Sequence, residues 1–509
     1  MLTLDGPVWF YATMAAVILL LAYLVQLNRL LNMTPEGVRR LSPSRWTQAS
    51  LVETYKRLEK TPITTQSYAG HIPPKLERRY IITGGSGLVG GYIVLQLLER
   101  GQPPESIRIV DFREPNRSDM TSGPPATVEF VKTDISSIES TNLAFAKPWH
   151  SSVASLPLTI FHTAAVIVPS DRSKLTYGFC EAINVFGTRN VLNASRLAGA
   201  DILVSTTSGS ISIRPVEFWM TPWNMFSDWP RHYWQVLDEQ DFFEPPRRHQ
   251  GYYSNYAASK AAAERIVCGA NSKELRTGSI RAANGIYGNP TDNTVGGPLH
   301  MRVQPTWTKH CVQSFVHAIN VAVAHLQFEA VLASPNSAAL PQAGRPFVIT
   351  DPNTPITYGD VYFLIQTLSV TPFQTLTLQP LVMLLLSYAI EWYRLLLVRN
   401  PWLRMFLPLV SGDIQHLQPA LFSICTHLVA SNEVAGQPVE MGGLGYTGLL
   451  TTEAGMVQEI IEWNREHKNS KENGKTYQSS VSLAVEIQRA ALGVKSTRRL
   501  NIETDGAPF

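Results

Sequence analysis

The 509-residue chain has only four cysteines, Cys180, Cys268, Cys311 and Cys425. None form C-x-x-C pairs, and their scatter argues against a disulfide framework or a zinc cluster. They read as reduced thiols facing the cytosol, and no metal is expected. Charge is also scarce. Asp, Glu, Lys and Arg make up 16% of residues and the net charge is +3, so nothing points to nucleic acid as a partner. Charge is missing altogether from Pro7 to Leu27, "PVWFYATMAAVILLLAYLVQL", about 20 residues and so long enough to span a bilayer. The preceding flank, "MLTLDG", has no lysine or arginine, unlike the basic n-region of a cleaved signal peptide. Basic residues follow the segment instead, at Arg29, Arg39, Arg40, Arg45, Lys56 and Arg57. The positive-inside rule then places everything after Leu27 in the cytosol. What is plentiful is apolar residues, 44% of the chain, enough for a sizeable core in one large or two or three ordinary domains.

Glycine is concentrated where it carries information. "RRYIITGGSGLVGGYIVLQLLERG" begins at Arg78. "YIIT" is a short β-rich run, and "GGYIVLQLLER" has helical apolar spacing ended by Gly101. Between them stand Gly84, Gly87 and Gly90 in the pattern T-G-x-x-G-x-x-G, with Leu88 among them. Such glycines permit a tight turn and close approach of backbone to a pyrophosphate, and the helix N-terminus offers amide donors. A strand before and a helix after are the context this motif requires. A second strand, "SIRIVDFRE", ends in Asp111, whose carboxylate would bind the adenosine ribose hydroxyls and point to NAD; Arg113 nearby keeps NADP open. A third, "VEFVKTDIS", ends at Asp134, placed to contact adenine. A fourth, "LTIFHTAAV", ends in small residues, Ala164 among them, that can pass under the cofactor. Repeated βα units of this kind predict an α/β fold with a doubly wound, Rossmann-type parallel sheet.

Further on, "GYYSNYAASKAAAE" places Lys260 four residues after Tyr256. On a helix the two share a face, and an ammonium beside a phenol favours the phenolate. The pair predicts a tyrosine tuned as general acid or base, although Tyr-x-x-x-Lys also occurs in ordinary amphipathic helices.

Taken in order, "TGGSGLVG", "FHTAAV", "NVFGTRNVLNA", "VSTTSGSISI", "YAASKAAAE" and "RAANGIYGN" resemble the extended short-chain dehydrogenase/reductases. Within them the chain is similar to the 3β-hydroxysteroid dehydrogenase/isomerase group, and the late segments "GRPFVITD" and "LGYTGLLTTEAGMVQEIIEW" resemble that group's C-terminal elements. The resemblance implies that Tyr256 and Lys260 are the catalytic tyrosine and lysine. It implies that Thr207, in "VSTTSGS", is the catalytic hydroxyl, with Ser208 its neighbour. It matches Asn184 to the family's helix asparagine, for which helix–sheet packing is an equal reading. It implies NAD, with NADP open, bound by Gly84, Gly87, Leu88, Gly90, Asp111, Asp134, Ala164, Tyr256 and Lys260. The sequence departs from the family at Ala282, where proline commonly follows the arginine.

Thr207 and Tyr256 are separated by 48 residues, more than the group usually shows. The extra stretch, "PVEFWMTPWNMFSDWPRHYW", is crowded with tryptophan and suits a lid over a large apolar substrate, an interfacial belt, or a self-packed insertion. Leu378 to Val410 is apolar but interrupted by Glu391, Arg394, Arg399 and Arg404. It is expected to lie on the bilayer as an amphipathic hairpin, with a buried core helix as the alternative. The expected organisation is an anchor at 1–28, a linker at 29–77, a cofactor-binding domain at 78–290 with its insertion at about 214–250, a substrate-binding, membrane-associated portion at 291–465, and a polar tail at 466–509. The resemblance implies oxidation of a sterol or triterpenoid 3β-hydroxyl. It is nearest to the sterol 4α-carboxylate 3-dehydrogenases, where decarboxylation follows. A 3β-hydroxy-Δ5-steroid dehydrogenase/isomerase, a terpenoid ketoreductase and a non-catalytic NAD-binding protein are the alternatives. A single-pass protein of the endoplasmic reticulum membrane is expected, with a homodimer by analogy alone.

Overall fold

A computed structural model describes residues 8–468 apart from Asn336. The polar tail expected at 466–509 lies, from residue 469 on, outside the described residues. Seven parallel strands make the central sheet: β1 (Arg79–Thr83), β2 (Ile107–Asp111), β3 (Glu129–Lys132), β4 (Leu158–His162), β5 (Ala200–Ser208), β6 (Arg276–Ala282) and β7 (Pro346–Ile349). Their order is β7-β6-β5-β4-β1-β2-β3. The order reverses beside β1, between two halves built outward in opposite directions, which is where doubly wound sheets bind ligands.

Strand alternation divides the core. Tyr80 and Ile82 of β1 face one layer with Ile93 and Leu97 of α3 (Leu88–Glu99). Ile81 faces the other with Phe145 of α4 (Ile138–Ala146) and Val191 of α5 (Gly187–Leu197). Helix α6 (Asn255–Cys268) shares this second face, through Val267, and α7 (Ala318–Ala333) shares the first, through Phe328. A second sheet of four short strands runs Ile356–Thr357, Val312–Gln313, His427–Ala430, Trp234–Leu237.

The apolar N-terminal segment forms α1 (Val8–Leu31). Its first half is bare, with Trp9 68% and Leu19 71% exposed, whereas Leu27 and Leu31 are buried. They pack with Phe218, Met225 and Tyr233 of the tryptophan-rich insertion and Leu381 and Leu384 of α9 (Pro380–Arg399). The stretch 29–77, expected as a linker with some helix, instead lies against the body. In α2 (Gln48–Lys60), Leu51 and Leu58 are buried against α8 (Tyr358–Leu368) and α10 (Thr452–His467). The composition is polar because only one stripe of that helix is covered.

Both α1 and α9 are long and apolar enough to cross a membrane. In α9 the apolar surface is divided: Leu384 and Ser387 are fully buried, while Val382, Leu385, Leu386 and Trp392 are exposed. The insertion is divided in the same way. Phe218, Met225 and Tyr233 are core, and Trp219, Trp223 and Phe226 are exposed.

Candidate active site

The glycine turn after β1 is shaped by steric necessity. Gly84 has φ +75°, and a Cβ there would meet the Ala164 nitrogen at 2.6 Å. A Cβ on Gly90 would meet the Gly84 carbonyl oxygen at 2.3 Å. Gly87 is the N-cap of α3 and Leu88 its first residue. Backbone amides at this helix start are thus left open to an anion. At the end of β2 the Asp111 carboxylate accepts hydrogen bonds from the Ser86 amide (3.0 Å) and the Arg113 amide (3.3 Å). Burial nevertheless raises its pKa, with those amides opposing the shift. The carboxylate therefore stands beside the glycine turn, where a ribose would lie. Asp134 follows β3 and is exposed, its Oδ1 accepting from Ser136. This cradle fits a dinucleotide: glycines with no room for a side chain where pyrophosphate approaches, a carboxylate at the next strand tip.

Across the sheet, Ser254 caps α6 by accepting from the Ala257 amide at 3.2 Å. That start positions Tyr256 and Lys260 on one face, both buried (8% and 5% exposed). Lys260 Nζ donates to the Thr206 carbonyl of β5 at 2.8 Å. Burial lowers its pKa to about 8, opposed by the Glu264 carboxylate one turn on. Tyr256 is pushed up to about 12 by burial, while hydrogen bonding with Ser208 pulls the other way. The ammonium is drawn to a backbone carbonyl, and desolvation dominates the phenol.

The hydroxyl that bears on Tyr256 is Ser208 rather than Thr207. Thr207 Oγ1 is turned between β5, β6 and α6, donating to Glu264 Oε2 at 2.9 Å and lying 3.1 Å from Ser279 Oγ. Glu264 is also clamped by Arg281, Nε to Oε2 at 2.8 Å and Nη2 to Oε1 at 2.6 Å. Arg281 in turn reaches Asp241 Oδ1 at 2.6 Å, at the base of the insertion. Thr207 thus belongs to a buried ionic network under the site.

Asn184 lies in a π-helical turn (Glu181–Phe186), a feature frequent at functional sites. Its Oδ1 accepts from the Val166 amide at 2.8 Å, and its Nδ2 donates to the Val166 carbonyl (3.0 Å) and to Ser259 Oγ (2.9 Å). It fastens the loop after β4 to α6, a positioning contact that spans the sheet top. Sequence reasoning missed Arg281 and Glu264. The only trace was an arginine and a glutamate at positions where the chain is otherwise apolar.

The strand–glycine turn–helix and the tyrosine–lysine helix stand on the two halves of the sheet, and the matched sequence covers the first of them. Residues 81–215 match the 3-beta hydroxysteroid dehydrogenase/isomerase family. Within the described chain this match runs from β1 through β5 and stops short of α6. The 3-beta-hydroxysteroid dehydrogenase of Mycolicibacterium neoaurum is 26% identical over 265 residues, covering 49% of this chain and 61% of that protein. The decarboxylating sterol-4-alpha-carboxylate 3-dehydrogenase of Schizosaccharomyces pombe is 26% identical over 278 residues, covering 53% of this chain and 69% of that protein. Among solved structures, the UDP-glucose 4-epimerase of Thermus thermophilus in complex with NAD aligns with TM-score 0.46 at 18% identity, over 76% of this chain and 99% of its own. The chain thus spans less than two thirds of the length of the first of these relatives.

Proposed function

We propose that the protein is an NAD-dependent dehydrogenase oxidising the 3β-hydroxyl of a lipophilic polycyclic alcohol, a sterol or triterpenoid, taken from a membrane. The observation that carries this is the buried Tyr256, with Ser208 bearing on its hydroxyl and Lys260 one turn behind it, in a chain whose glycine turn after β1 fits a dinucleotide. NAD, when bound, accepts the hydride from the carbinol carbon. The chain's residues orient the alcohol and move its proton. Ser208 and Tyr256 hydrogen-bond the substrate hydroxyl, and Tyr256 Oη takes its proton. Positive charge from Lys260 stabilises the phenolate that burial otherwise opposes.

The membrane reading rests on α1, on the exposed side of α9 and on the exposed Trp219, Trp223 and Phe226 of the insertion; α1, α9 and the insertion are joined beneath that surface by one buried apolar cluster. A helix with its aromatic and aliphatic side bare and its other side on the body suits a bilayer interface, and a sterol would reach the site from it. The cytosolic placement follows from the arginines after Leu27.

The Schizosaccharomyces relative's name supports a 4α-carboxylated sterol, whose 3-ketone would lose carbon dioxide readily. A relative named 3 beta-hydroxysteroid dehydrogenase/Delta 5-->4-isomerase, 31% identical over 136 residues, supports isomerisation as the second reading. Membranes carrying the full chain, incubated with NAD and a panel of 4α-carboxy sterols, 3β-hydroxy-Δ5-steroids and triterpenoid alcohols, decide between them by mass spectrometry. Failure to oxidise any member of the panel, with either NAD or NADP, overturns the proposal.

A further inference from the structure

Charges on an apolar helix are costly, and α9 carries Glu391 and Arg394 on the side that meets the body. Both are spent on one loop. Arg172 donates Nε to Glu391 Oε1 and Nη2 to Glu391 Oε2, each at 2.7 Å. Arg394 Nη1 donates to Asp171 Oδ1 at 2.7 Å, and Gln418 Nε2 donates to the same oxygen at 2.7 Å. The carboxylates are 8% (Asp171) and 12% (Glu391) exposed, so these are not solvated surface pairs.

The loop's other side meets the catalytic helix. The Asn255 amide, the first in α6 and adjacent to Tyr256, donates to the Asp171 carbonyl at 2.6 Å. Asn255 Nδ2 donates to the Ser173 carbonyl at 2.9 Å. The near end of the loop is the Val166 segment held by Asn184. The Asp171 and Arg172 side chains thus hold α9, while the Asp171 and Ser173 carbonyls on either side of Arg172 hold the first residue of α6.

We infer that Asp171 and Arg172 are positioning residues through which α9 sets the N-terminus of α6, and with it Tyr256. This rests on the reading of Tyr256 as the proton acceptor. Bidentate pairing fixes distance and orientation together, so α9 seated against the loop holds α6 in register. When the latch opens, Tyr256 loses its alignment, while the Asp111 contacts beside the glycine turn, which involve none of residues 171–173, remain.

The test uses the full chain in phosphatidylcholine nanodiscs with cholesterol and NAD, comparing wild type, Arg172→Glu, Glu391→Arg and the double exchange. Each single variant should lower kcat by about two- to thirtyfold, the range of couplings carried through packed networks, with KM for NAD unchanged. The double exchange should recover most of the loss. Amide hydrogen exchange over residues 254–258 should quicken in the single variants and slow again in the exchange, whether or not cholesterol is turned over. Inactive wild type with the exchange pattern intact counts against the substrate reading alone. Single variants with wild-type amide exchange at 254–258, or a double variant no better than its parents, overturn the latch.

Discussion

Replacing Ser208 with alanine removes one hydroxyl at the tip of β5, and replacing Thr207 with valine removes the adjacent one without changing shape. The structure assigns the two very different consequences. Ser208 is the group whose hydrogen bonding lowers the Tyr256 pKa. A donor aimed at the reacting oxygen is worth about 10²- to 10³-fold in kcat, or about 2.7–4 kcal/mol. Ser208→Ala should therefore lose turnover on that scale while NAD still binds at the glycine cradle. Thr207 instead donates to Glu264 Oε2, which Arg281 holds independently through two further bonds. Its valine variant forfeits one hydrogen bond to a charged group, about 1.5–3 kcal/mol of stability, and kcat should stay near wild type. Steady-state turnover, NAD titration by fluorescence quenching and thermal unfolding separate the cases. If Thr207→Val abolishes turnover with folding and NAD binding intact, and Ser208→Ala does not, the assignment of hydroxyls is wrong.

Tyr256→Phe keeps the ring but has no proton to exchange, and turnover should fall by about 10²- to 10⁴-fold with NAD affinity retained. NAD should be preferred to NADP, and Asp111→Ala should narrow that preference measured as the kcat/KM ratio; equal use of both cofactors by wild type refutes the role of Asp111. Gly90→Ala, whose Cβ would stand 2.3 Å from the Gly84 oxygen, should abolish NAD binding or folding. For pH, Lys260 is lowered from 10.5 to about 8. The folded state releases this proton first, so between about 8 and 10.5 unfolding takes up a proton and the group's contribution to stability rises with pH. Lys260→Met should remove that rise, seen as a flatter dependence of Tm on pH than in wild type; parallel profiles contradict it. Removing residues 1–20 spares the buried Leu27 and Leu31 and should leave a folded protein that still binds vesicles, from which Leu385→Glu with Leu386→Glu releases it. Vesicle flotation reads both steps.

The α/β architecture was legible because its signals are local. Alternating apolar runs, glycine turns and helix caps each act within a few residues, and β1, β2, β4 and α6 all formed where those signals stood. The choice between Thr207 and Ser208 was not legible, because it depends on tertiary partners: Thr207 Oγ1 is taken by Glu264 and Ser279, from a helix and a strand more than 50 residues on. The position of the lysine ammonium was not legible for a related reason. Helical spacing puts the two side chains on one face, but the destination of Nζ is set by the Thr206 carbonyl on a strand 54 residues earlier. The packing of 29–77 was hidden because α2 buries only one stripe, contributed to by α8 and α10 from the far end of the chain.

The charges of α9 illustrate how tertiary partners reinterpret composition. Read alone, Glu391 and Arg394 argue only that the helix does not cross a membrane comfortably. In the fold they are the two residues that reach the loop before Tyr256, and the remaining surface of the helix is left apolar and bare. A helix wholly buried in the core would have no need of an exposed Val382, Leu385, Leu386 and Trp392. A helix spanning the bilayer would leave Glu391 and Arg394 to be paired inside hydrocarbon. On the proposed interfacial placement, with its charged side on the protein and its apolar side outward, both sets of residues are satisfied at once, and the positioning loop would lie next to the surface from which a lipophilic alcohol would arrive.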